Sequence, residues 1–283
     1  MGYNLLKGKK GLIFGALNSR SIAWNVAQRA HEEGAELVLS NTESSIRMGN
    51  IAVLAKECDA PVIAADATKV EELQALVEQT KEHFNGQFDF CLHAIGMSMN
   101  VRRGRTYDDL DYDFLNKTLD ISAISFHKLL QTLWKQDAIK PWGSVVALTY
   151  IAAERALFGY NDMSDAKALL ESIARSFGYI YGRDRKVRIN TVSQSPTNTT
   201  AGSGVKGFNA LVDFADRMSP LGNADAEECA DYCVTLFSDL TRKVTMQNLF
   251  HDGGFSSMGM SRRAMDVYSK SLEDTTSDDE EDL

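Results

Sequence analysis

A tyrosine and a lysine, Tyr160 and Lys167, stand seven positions apart in the stretch YNDMSDAK, near the start of a predicted helix. Seven residues of α-helix turn through about 700°, so the two side chains would share one face, about 10 Å apart along the axis. At that distance the lysine is too far away to take the phenol proton directly. If the helix begins at Tyr160, the spacing favours a division of labour, with the lysine on a cofactor and the tyrosine on a substrate.

The two residue types suit that division. A lysine has three donors and a charge that can hold ribose hydroxyls, and a tyrosine has one donor suited to a developing oxyanion. The same spacing also occurs between an exposed lysine and a helix-capping aromatic residue, so the assignment depends on the surrounding elements. A second tyrosine, Tyr150, lies ten residues upstream of Tyr160.

Short apolar runs alternate with amphipathic stretches along most of the chain, which is typical of βαβ units on a parallel sheet. We expect an α/β fold with a single doubly wound, Rossmann-like domain over residues 1–262, in which helices flank a seven-stranded parallel sheet. The predicted strands are residues 11–16, 36–41, 61–66, 88–96, 143–150, 187–193 and 248–254. The predicted helices are residues 21–34, 45–58, 69–85, 109–136, 160–182 and 225–238, and a substrate-binding loop is expected near 195–216.

Ligands of such a sheet bind beyond the carboxyl ends of its strands. Gly15 follows the first predicted strand and Ser21 opens the next helix, where free backbone N–H groups attract phosphate. The signal is weak by itself, because the spacing G-x-G-x-x-G is absent and both residues also suit a tight turn with an N-cap.

The next two strand ends extend the possible nucleotide site. Thr42 ends the second strand, where a dinucleotide places its adenosine ribose. Glu43 follows directly and Arg47 lies a helical turn further, which favours NADH over NADPH. Asp66, after the third strand, suits either an adenine amino group or a helix cap.

The 283-residue chain carries a formal charge of −9, and the terminal stretch SLEDTTSDDEEDL supplies seven acids and no base. We therefore expect residues 263–283 to be an acidic, largely disordered tail. Without it the body is close to neutral, which argues against a nucleic-acid partner. No apolar run is long enough for a signal peptide or a membrane span, so a cytoplasmic protein is expected. The four cysteines are scattered, and we expect buried, reduced thiols and no metal site.

The stretch LTYIAAERALFGYNDMSDAKALLES resembles the pattern SYxGAER…P-x-YNxMGxAKAxLE of the bacterial enoyl-acyl carrier protein reductases. That family is a divergent branch of the short-chain dehydrogenases/reductases. The resemblance extends to LLKGKKGLIFGALNSRSIAW, FDFCLHAIG, DISAISF, KVRINTVS and HDGGFS, and covers roughly residues 1–260. It implies an NADH-dependent oxidoreductase of type II fatty-acid biosynthesis that acts on acyl carrier protein thioesters as a homotetramer.

The resemblance also assigns residues. The implied catalytic residues are Tyr150, Tyr160 and Lys167. Those implied for NADH are Gly15, Ser21, Ile22, Thr42, Asp66, Ala67, Ile95, Gly96, Lys167, Thr197, Asn198, Thr199, Thr200 and Ala201. Those implied for the substrate are Ser98, Tyr150, Tyr160, Met163 and Phe208. In this reaction hydride adds to the β-carbon of a trans-2-enoyl thioester, and Tyr160 stabilises the resulting enolate.

The chain departs from the family pattern in places. It reads SQSPTNT where SAGPIRT is common, so Ser195 replaces a glycine and Asn198 replaces an arginine or lysine. These differences bear on chain-length preference and cofactor affinity more than on the chemistry.

Two other functions are compatible with parts of the sequence. One is a short-chain dehydrogenase/reductase acting on ketones or alcohols. Such enzymes place a lysine four residues after the tyrosine and a serine thirteen before it, but this chain has Ser164 and Ala147 there. The other is a non-catalytic dinucleotide sensor, which has little need of Tyr160 and Lys167 together.

Overall fold

The computed structural model describes residues 2–200, 202 and 207–280, with side chains described up to residue 272. Seven strands form one sheet in the order β3-β2-β1-β4-β5-β6-β7, and every neighbouring pair is parallel. The strands are β1 (Lys10–Phe14), β2 (Glu36–Asn41), β3 (Val62–Ala64), β4 (Phe88–His93), β5 (Ile139–Thr149), β6 (Arg188–Gln194) and β7 (Asn248–His251). The predicted doubly wound sheet is confirmed, and its direction of winding reverses between β1 and β4, where a ligand crevice forms.

Helices cover both faces of this sheet. They are α1 (Ile22–Glu32), α2 (Glu43–Met48), α3 (Ile51–Glu57), α4 (Val70–His83), α5 (Met99–Arg102), α6 (Tyr112–Leu119), α7 (Ser125–Lys135), α8 (Asp162–Arg185), α9 (Phe208–Met218), α10 (Ala226–Phe237) and α11 (Arg262–Glu280). Within the described part of the chain, none of these helices is long and apolar enough to cross a membrane.

Two apolar layers, one on each face of the sheet, form the core. Successive strand residues point to opposite faces, so Leu12 and Phe14 lie in the layer beneath α4, α7 and α8, while Ile13 lies beneath α1 and α10. The strands are nearly continuous in apolar residues because both faces are covered. The four cysteines are free thiols in these layers, as expected: Cys58, Cys91, Cys229 and Cys233.

The stripe of α8 that faces the sheet has an unusual composition. Its buried positions include Met163, Ala166, Leu170 and Ala174, which follow the three- and four-residue intervals of an amphipathic helix. Lys167 and Glu171 fall on the same stripe and are buried with it. Two ionisable side chains are therefore buried at positions where packing alone would favour apolar residues.

Two predicted helices are interrupted. The predicted helix 45–58 is split into α2 and α3 around Gly49, because the Asn50 backbone N–H turns away to donate to the Leu17 carbonyl at 3.0 Å. The predicted helix 109–136 contains a π-helical turn at Asp120–Ile124 between α6 and α7. π-turns of this kind are frequent at functional sites, and this one aims Ser122 at the backbone of Met97.

The carboxyl-terminal third differs most from expectation. Part of the predicted loop at 195–216 is helix α9, and residues 263–280 of the predicted disordered tail belong to helix α11. The start of α11 is held because the Ser261 hydroxyl accepts from the Ala264 N–H and donates to the Arg217 carbonyl. Arg263 also pairs with Asp216 of α9 at 2.7 Å, which ties the two helices together. Residues 281–283 lie outside the described part of the chain.

Candidate active site

Residues with catalytic potential gather at the carboxyl edge of the sheet. Gly15, Thr42 and Tyr150 directly follow β1, β2 and β5. Ile95 and Gly96 come shortly after β4, and the segment 195–200 follows β6. Because parallel strands end at one edge, the turns that sequence separates are brought to the same side of the sheet.

Lys167 is the buried cation of this edge. Its side chain is 7% exposed, and its Nζ donates to the Leu148 carbonyl at 2.9 Å. A Cβ placed on Gly96 would lie 3.6 Å from the same nitrogen, so Gly96 leaves the ammonium group uncovered on that side. Burial lowers the pKa of Lys167 from 10.5 to about 8, and the negative charge of Glu171 opposes that decrease.

Glu171 lies one helical turn beyond Lys167 and contacts the same strand. Its Oε1 accepts from the Thr149 hydroxyl at 2.7 Å, and the carboxylate is 4% exposed. Burial raises the pKa of Glu171, although the Thr149 hydrogen bond works against that increase. Lys167 and Glu171 thus hold two successive residues, Leu148 and Thr149, at the end of β5 that leads into Tyr150.

Tyr150 and Tyr160 form an aromatic pair. Their ring centroids are 5.0 Å apart with an interplanar angle of 56°. The Tyr150 ring is almost fully buried, and its hydroxyl has no hydrogen-bond partner among the described residues. Burial raises the pKa of both phenols, so each remains a proton donor at neutral pH.

The position of Tyr160 corrects one assumption. Helix α8 begins at Asp162, so Tyr160 lies in the preceding turn and does not share a helical face with Lys167. Asn161 between them has φ 44°, an unusual conformation for a residue with a side chain. The prediction of a helix from residue 160 is therefore wrong, and tertiary packing brings the two tyrosines together.

The turn after β1 has the close approach of a nucleotide-binding loop. Gly15 has φ +116°, and a Cβ there would lie 2.3 Å from the Ala94 carbonyl oxygen, so only glycine fits. Ser21 is the N-cap residue of α1, but its hydroxyl donates to the Asn18 carbonyl and accepts from the Leu17 N–H. The first N–H groups of α1 thus receive no bond from the Ser21 side chain.

Thr42 and Asp66 make local bonds at the ends of β2 and β3. The Thr42 hydroxyl caps α2 by accepting from the Ser45 N–H at 3.3 Å. Asp66 Oδ1 accepts from the N–H and the hydroxyl of Thr68 at 2.9 and 2.8 Å, which closes a turn before α4. Thr42 therefore caps a helix, which was not predicted, while Asp66 does not cap α4, whose N-cap is Lys69. Both residues remain at the ligand edge.

The remaining residues predicted for NADH lie nearby. Ile22 opens α1 and is partly buried, while Ala67 and Ile95 pack against the layer beneath α4 and α7. Thr200 accepts from Asn18 Nδ2 at 2.9 Å, which joins the segment after β6 to the turn after β1. Thr197 bonds the Ser195 carbonyl, Thr199 accepts from the Gly202 N–H, and Asn198 is exposed. Ala201 lies outside the described residues.

The residues predicted for the substrate occupy different surroundings. Met163 is buried beside Gly96, with its Cε 3.5 Å from the position of a Cβ there. Phe208 opens α9 and, together with Asn198, lines an open cavity of about 320 Å³. The Ser98 hydroxyl is buried and donates to Asp162 at 2.6 Å, so it serves the interior of the protein.

A family model described as enoyl-(acyl carrier protein) reductase matches residues 15–256. The chain belongs to this family. It is 34% identical over 265 residues to the enoyl-[acyl-carrier-protein] reductase [NADH] FabI of Rickettsia bellii, a match that covers 93% of this chain and 99% of that protein. It is 32% identical over 258 residues to enoyl-[acyl-carrier-protein] reductase [NADH] 2 of Rhizobium meliloti, covering 90% of this chain and 94% of that one.

Solved structures of the family agree with this assignment. A FabI–NADH complex from Alistipes finegoldii shares 74% identity and superposes with a TM-score of 0.92, covering 93% of each chain. The enoyl reductase (NADH) of Aquifex aeolicus shares 30% identity with a TM-score of 0.84 and covers 90% of this chain and 99% of that one.

Sequence reasoning about this family member missed four residues of the edge, namely Ser122, Thr149, Asp162 and Glu171. A signal existed for Glu171, because it lies four residues after Lys167 on the apolar stripe of α8. Ser122 had none, because the π-turn that aims it at Met97 is not visible in the residue pattern. Asp162 resembled an ordinary acid in the first turn of a helix.

Proposed function

We propose that the chain transfers hydride from NADH to the β-carbon of a trans-2-enoyl thioester on acyl carrier protein, the enoyl reduction of fatty-acid biosynthesis. Its family and its NADH-dependent relatives support this reaction. The observation that carries the residue roles is the aromatic pair of the buried Tyr150 and the partly buried Tyr160, at the edge where Lys167 is buried.

The residues at the carboxyl edge fit a dinucleotide. Gly15 has no Cβ in the turn that leads to α1, and the Ser21 side chain does not bond the first N–H groups of that helix, so a pyrophosphate can be held there by the helix dipole. Lys167 has Gly96 on one side, and its ammonium donates to one described carbonyl, which leaves donors for ribose hydroxyls. We assign the pyrophosphate to Gly15, Ser21 and Ile22, and the nicotinamide side to Ile95, Gly96, Lys167 and residues 197–201.

The adenosine end is assigned to Thr42, Asp66 and Ala67. Glu43 follows Thr42 and holds Arg47 in an ion pair at 3.4 Å. The Glu43 carboxylate therefore repels the 2′-phosphate of NADPH and pairs with Arg47, the one cation of that turn. Both effects favour NADH over NADPH.

NADH, when bound, supplies the hydride that reduces the β-carbon. The protein's part is to stabilise the negative charge that then collects on the thioester oxygen. Tyr160 donates a hydrogen bond to that oxygen, because burial keeps its phenol protonated and its ring packs against Tyr150 at the carboxyl edge. Tyr150, whose hydroxyl has no hydrogen-bond partner among the described residues, is directed to the same oxygen or to the carbonyl side of the substrate.

The apolar part of the substrate is assigned to Met163 and Phe208. Both side chains lie beside residues assigned to NADH, Met163 next to Gly96 and Phe208 next to Asn198. Ser98 is proposed to act at the edge of this pocket through its backbone position, since its hydroxyl is engaged by Asp162.

We also propose a homotetramer in the cytoplasm. In a single chain β7 is the last strand of the sheet and carries Phe250 at 38% exposure, so this edge is suited to a contact with another copy. The four free, buried thiols suit a reducing compartment.

A direct assay tests the proposed reaction. Purified protein with crotonyl or longer enoyl thioesters should consume NADH, followed by the loss of absorbance at about 340 nm. NADPH should be used less efficiently, and a saturated thioester should give no change. Binding of NADH without reduction of any enoyl thioester would contradict the proposal.

A further inference from the structure

Asp162, the first residue of α8, is a carboxylate in the interior of the protein. It is 0% exposed and accepts three hydrogen bonds. Ser98 Oγ donates to Oδ1 at 2.6 Å, and Asn100 Nδ2 donates to Oδ2 at 2.9 Å. Thr118 Oγ1 lies 2.8 Å from Oδ2 and 2.8 Å from the Phe114 carbonyl, so its one proton is shared between these two acceptors.

Burying a carboxylate is costly unless its oxygens are bonded. Here the three donors are neutral, and the positive end of the α8 dipole lies at the same place. An apolar residue would fill this position at lower cost, so the carboxylate serves a need other than packing. The resemblance to the enoyl reductases assigns no role to this position.

The three donors come from two different elements, which also meet where the Asn100 side chain bonds the Asp111 backbone at 3.1 and 3.0 Å. Ser98 and Asn100 are at the start of α5, which follows β4, and Thr118 is near the end of α6. Asp162 therefore joins α5, α6 and α8 directly behind the turn that contains Tyr160.

That turn is held from both sides. The Asn161 side chain donates to the Arg105 carbonyl, and the Met163 N–H donates to the Tyr160 carbonyl at 3.2 Å. With φ 44°, Asn161 keeps its conformation only while the residues around it are fixed. Asp162 anchors the carboxyl side of Asn161, so the direction of the Tyr160 phenol depends on the three bonds to its carboxylate.

We propose that Asp162 is a positioning residue that sets the Tyr160 hydroxyl for the enolate through its bonds to Ser98, Asn100 and Thr118. The inference rests on the proposed enoyl reduction. Lys167 is fixed separately by the Leu148 carbonyl, so the binding of NADH should not depend on Asp162.

The test compares Asp162→Ala with Asp165→Ala. Asp165 is a matched control, since it is an acid in the same first turn of α8 whose partner is the exposed Tyr107 hydroxyl. We expect Asp162→Ala to lower kcat for a crotonyl thioester about 10- to 100-fold, because a phenol displaced by about 1 Å loses its transition-state contact. The Kd for NADH should stay within about twofold, and Asp165→Ala should change neither quantity by more than about twofold.

Rescue by the conservative variant separates positioning from folding. Asp162→Asn keeps one acceptor and can donate to a hydroxyl, so its kcat should recover part of the loss in Asp162→Ala. If Asp162→Ala does not fold, Thr118→Val removes one bond at constant shape and should lower kcat by about two- to tenfold with an unchanged Kd for NADH.

Several results would overturn the inference. These are an unchanged kcat in folded Asp162→Ala or in Thr118→Val, an equal loss in Asp165→Ala, or a rise in the Kd for NADH that matches the fall in kcat. Wild-type protein that reduces no enoyl thioester contradicts the proposed function instead, which the same assay shows before any variant is compared.

Discussion

Two ends of the ligand edge are built in different ways. The nucleotide end, residues 15–22, 42 and 66–67, holds most of its polar side chains by bonds to neighbours in sequence, such as Thr42 to Ser45 and Asp66 to Thr68, with Asn18 to Thr200 as a long-range exception. The catalytic end, residues 148–150 and 160–171, uses long-range bonds, such as Lys167 to Leu148 and Asp162 to Ser98. It is also the more deeply buried of the two.

The difference bears on how each end responds to substitution. A local cap is exposed to water and costs little to lose, about 1 kcal/mol. A buried charge or phenol depends on elements far apart in sequence, and its loss leaves other groups unsatisfied. Substitutions at the catalytic end should therefore have the larger effects, on turnover above all.

The largest expected effect comes from the two phenols. Tyr160→Phe should lower kcat about 100- to 1000-fold, because it removes the donor to the enolate oxygen. The Kd for NADH, measured by fluorescence titration, should change little. Tyr150→Phe is the matched variant, and it should have a smaller effect if Tyr160 is the principal donor.

If Tyr150→Phe lowers kcat more than Tyr160→Phe does, Tyr150 is the principal donor to the enolate oxygen. If Tyr160→Phe weakens NADH binding as much as it lowers turnover, the two ends of the ligand edge do not have separate roles.

A second prediction concerns the protonation of Lys167. With its pKa lowered to about 8 by burial, the lysine loses its charge as the pH rises through that value. The Kd for NADH should then increase by about tenfold between pH 7 and 9.5, because a charged donor is replaced by a neutral one. Glu171 favours the charged lysine, so Glu171→Gln should move the midpoint to lower pH by about one unit.

The free energy of unfolding should also depend on the protonation of Lys167, but it should rise with pH, whereas the affinity for NADH should fall. The unfolded lysine has its ordinary pKa of 10.5, so between about 8 and 10.5 the unfolded chain binds more protons than the native one. The contribution of Lys167 to the free energy of unfolding therefore rises with pH across this window. If Glu171→Gln leaves the pH midpoint of NADH binding unchanged, Glu171 does not influence the protonation of Lys167.

The smallest effect is expected at the nucleotide end. Glu43→Ala releases Arg47 from its exposed ion pair and removes a negative charge beside Thr42. The KM for NADPH should fall by about two- to fivefold, while the KM for NADH stays nearly constant. Glu227→Ala, another exposed acid in the first turn of a helix, is the control and should alter neither constant. A large change in kcat for Glu43→Ala would contradict the contrast between the two ends.

Much of the fold was predictable. The seven strands and their parallel arrangement follow from short apolar runs that alternate with amphipathic segments, and the structure confirms them. Helix α11 was not predicted because its sequence is rich in polar and acidic residues, whereas α9 was missed although its apolar residues recur at helical intervals. Contacts such as Arg263 to Asp216 that hold them are made between distant parts of the chain.

The site was predictable in its residue types more than in its geometry. Gly15, Tyr160 and Lys167 were identified from their surroundings, and the structure places all three at the ligand edge. That Tyr160 precedes α8 was not predictable, because the positive φ of Asn161 depends on contacts with Arg105 that sequence does not display.

The amino-acid sequence determined the order of strands and helices and the caps and turns at the nucleotide end, because these depend on periodicity and on neighbours within a few residues. Only the tertiary structure decided which buried groups face one another at the catalytic end. Lys167 and Glu171 reach the end of β5, Asp162 reaches α5 and α6, and the two tyrosines meet. Such contacts join residues many positions apart, so they exist only once the sheet and α8 have packed.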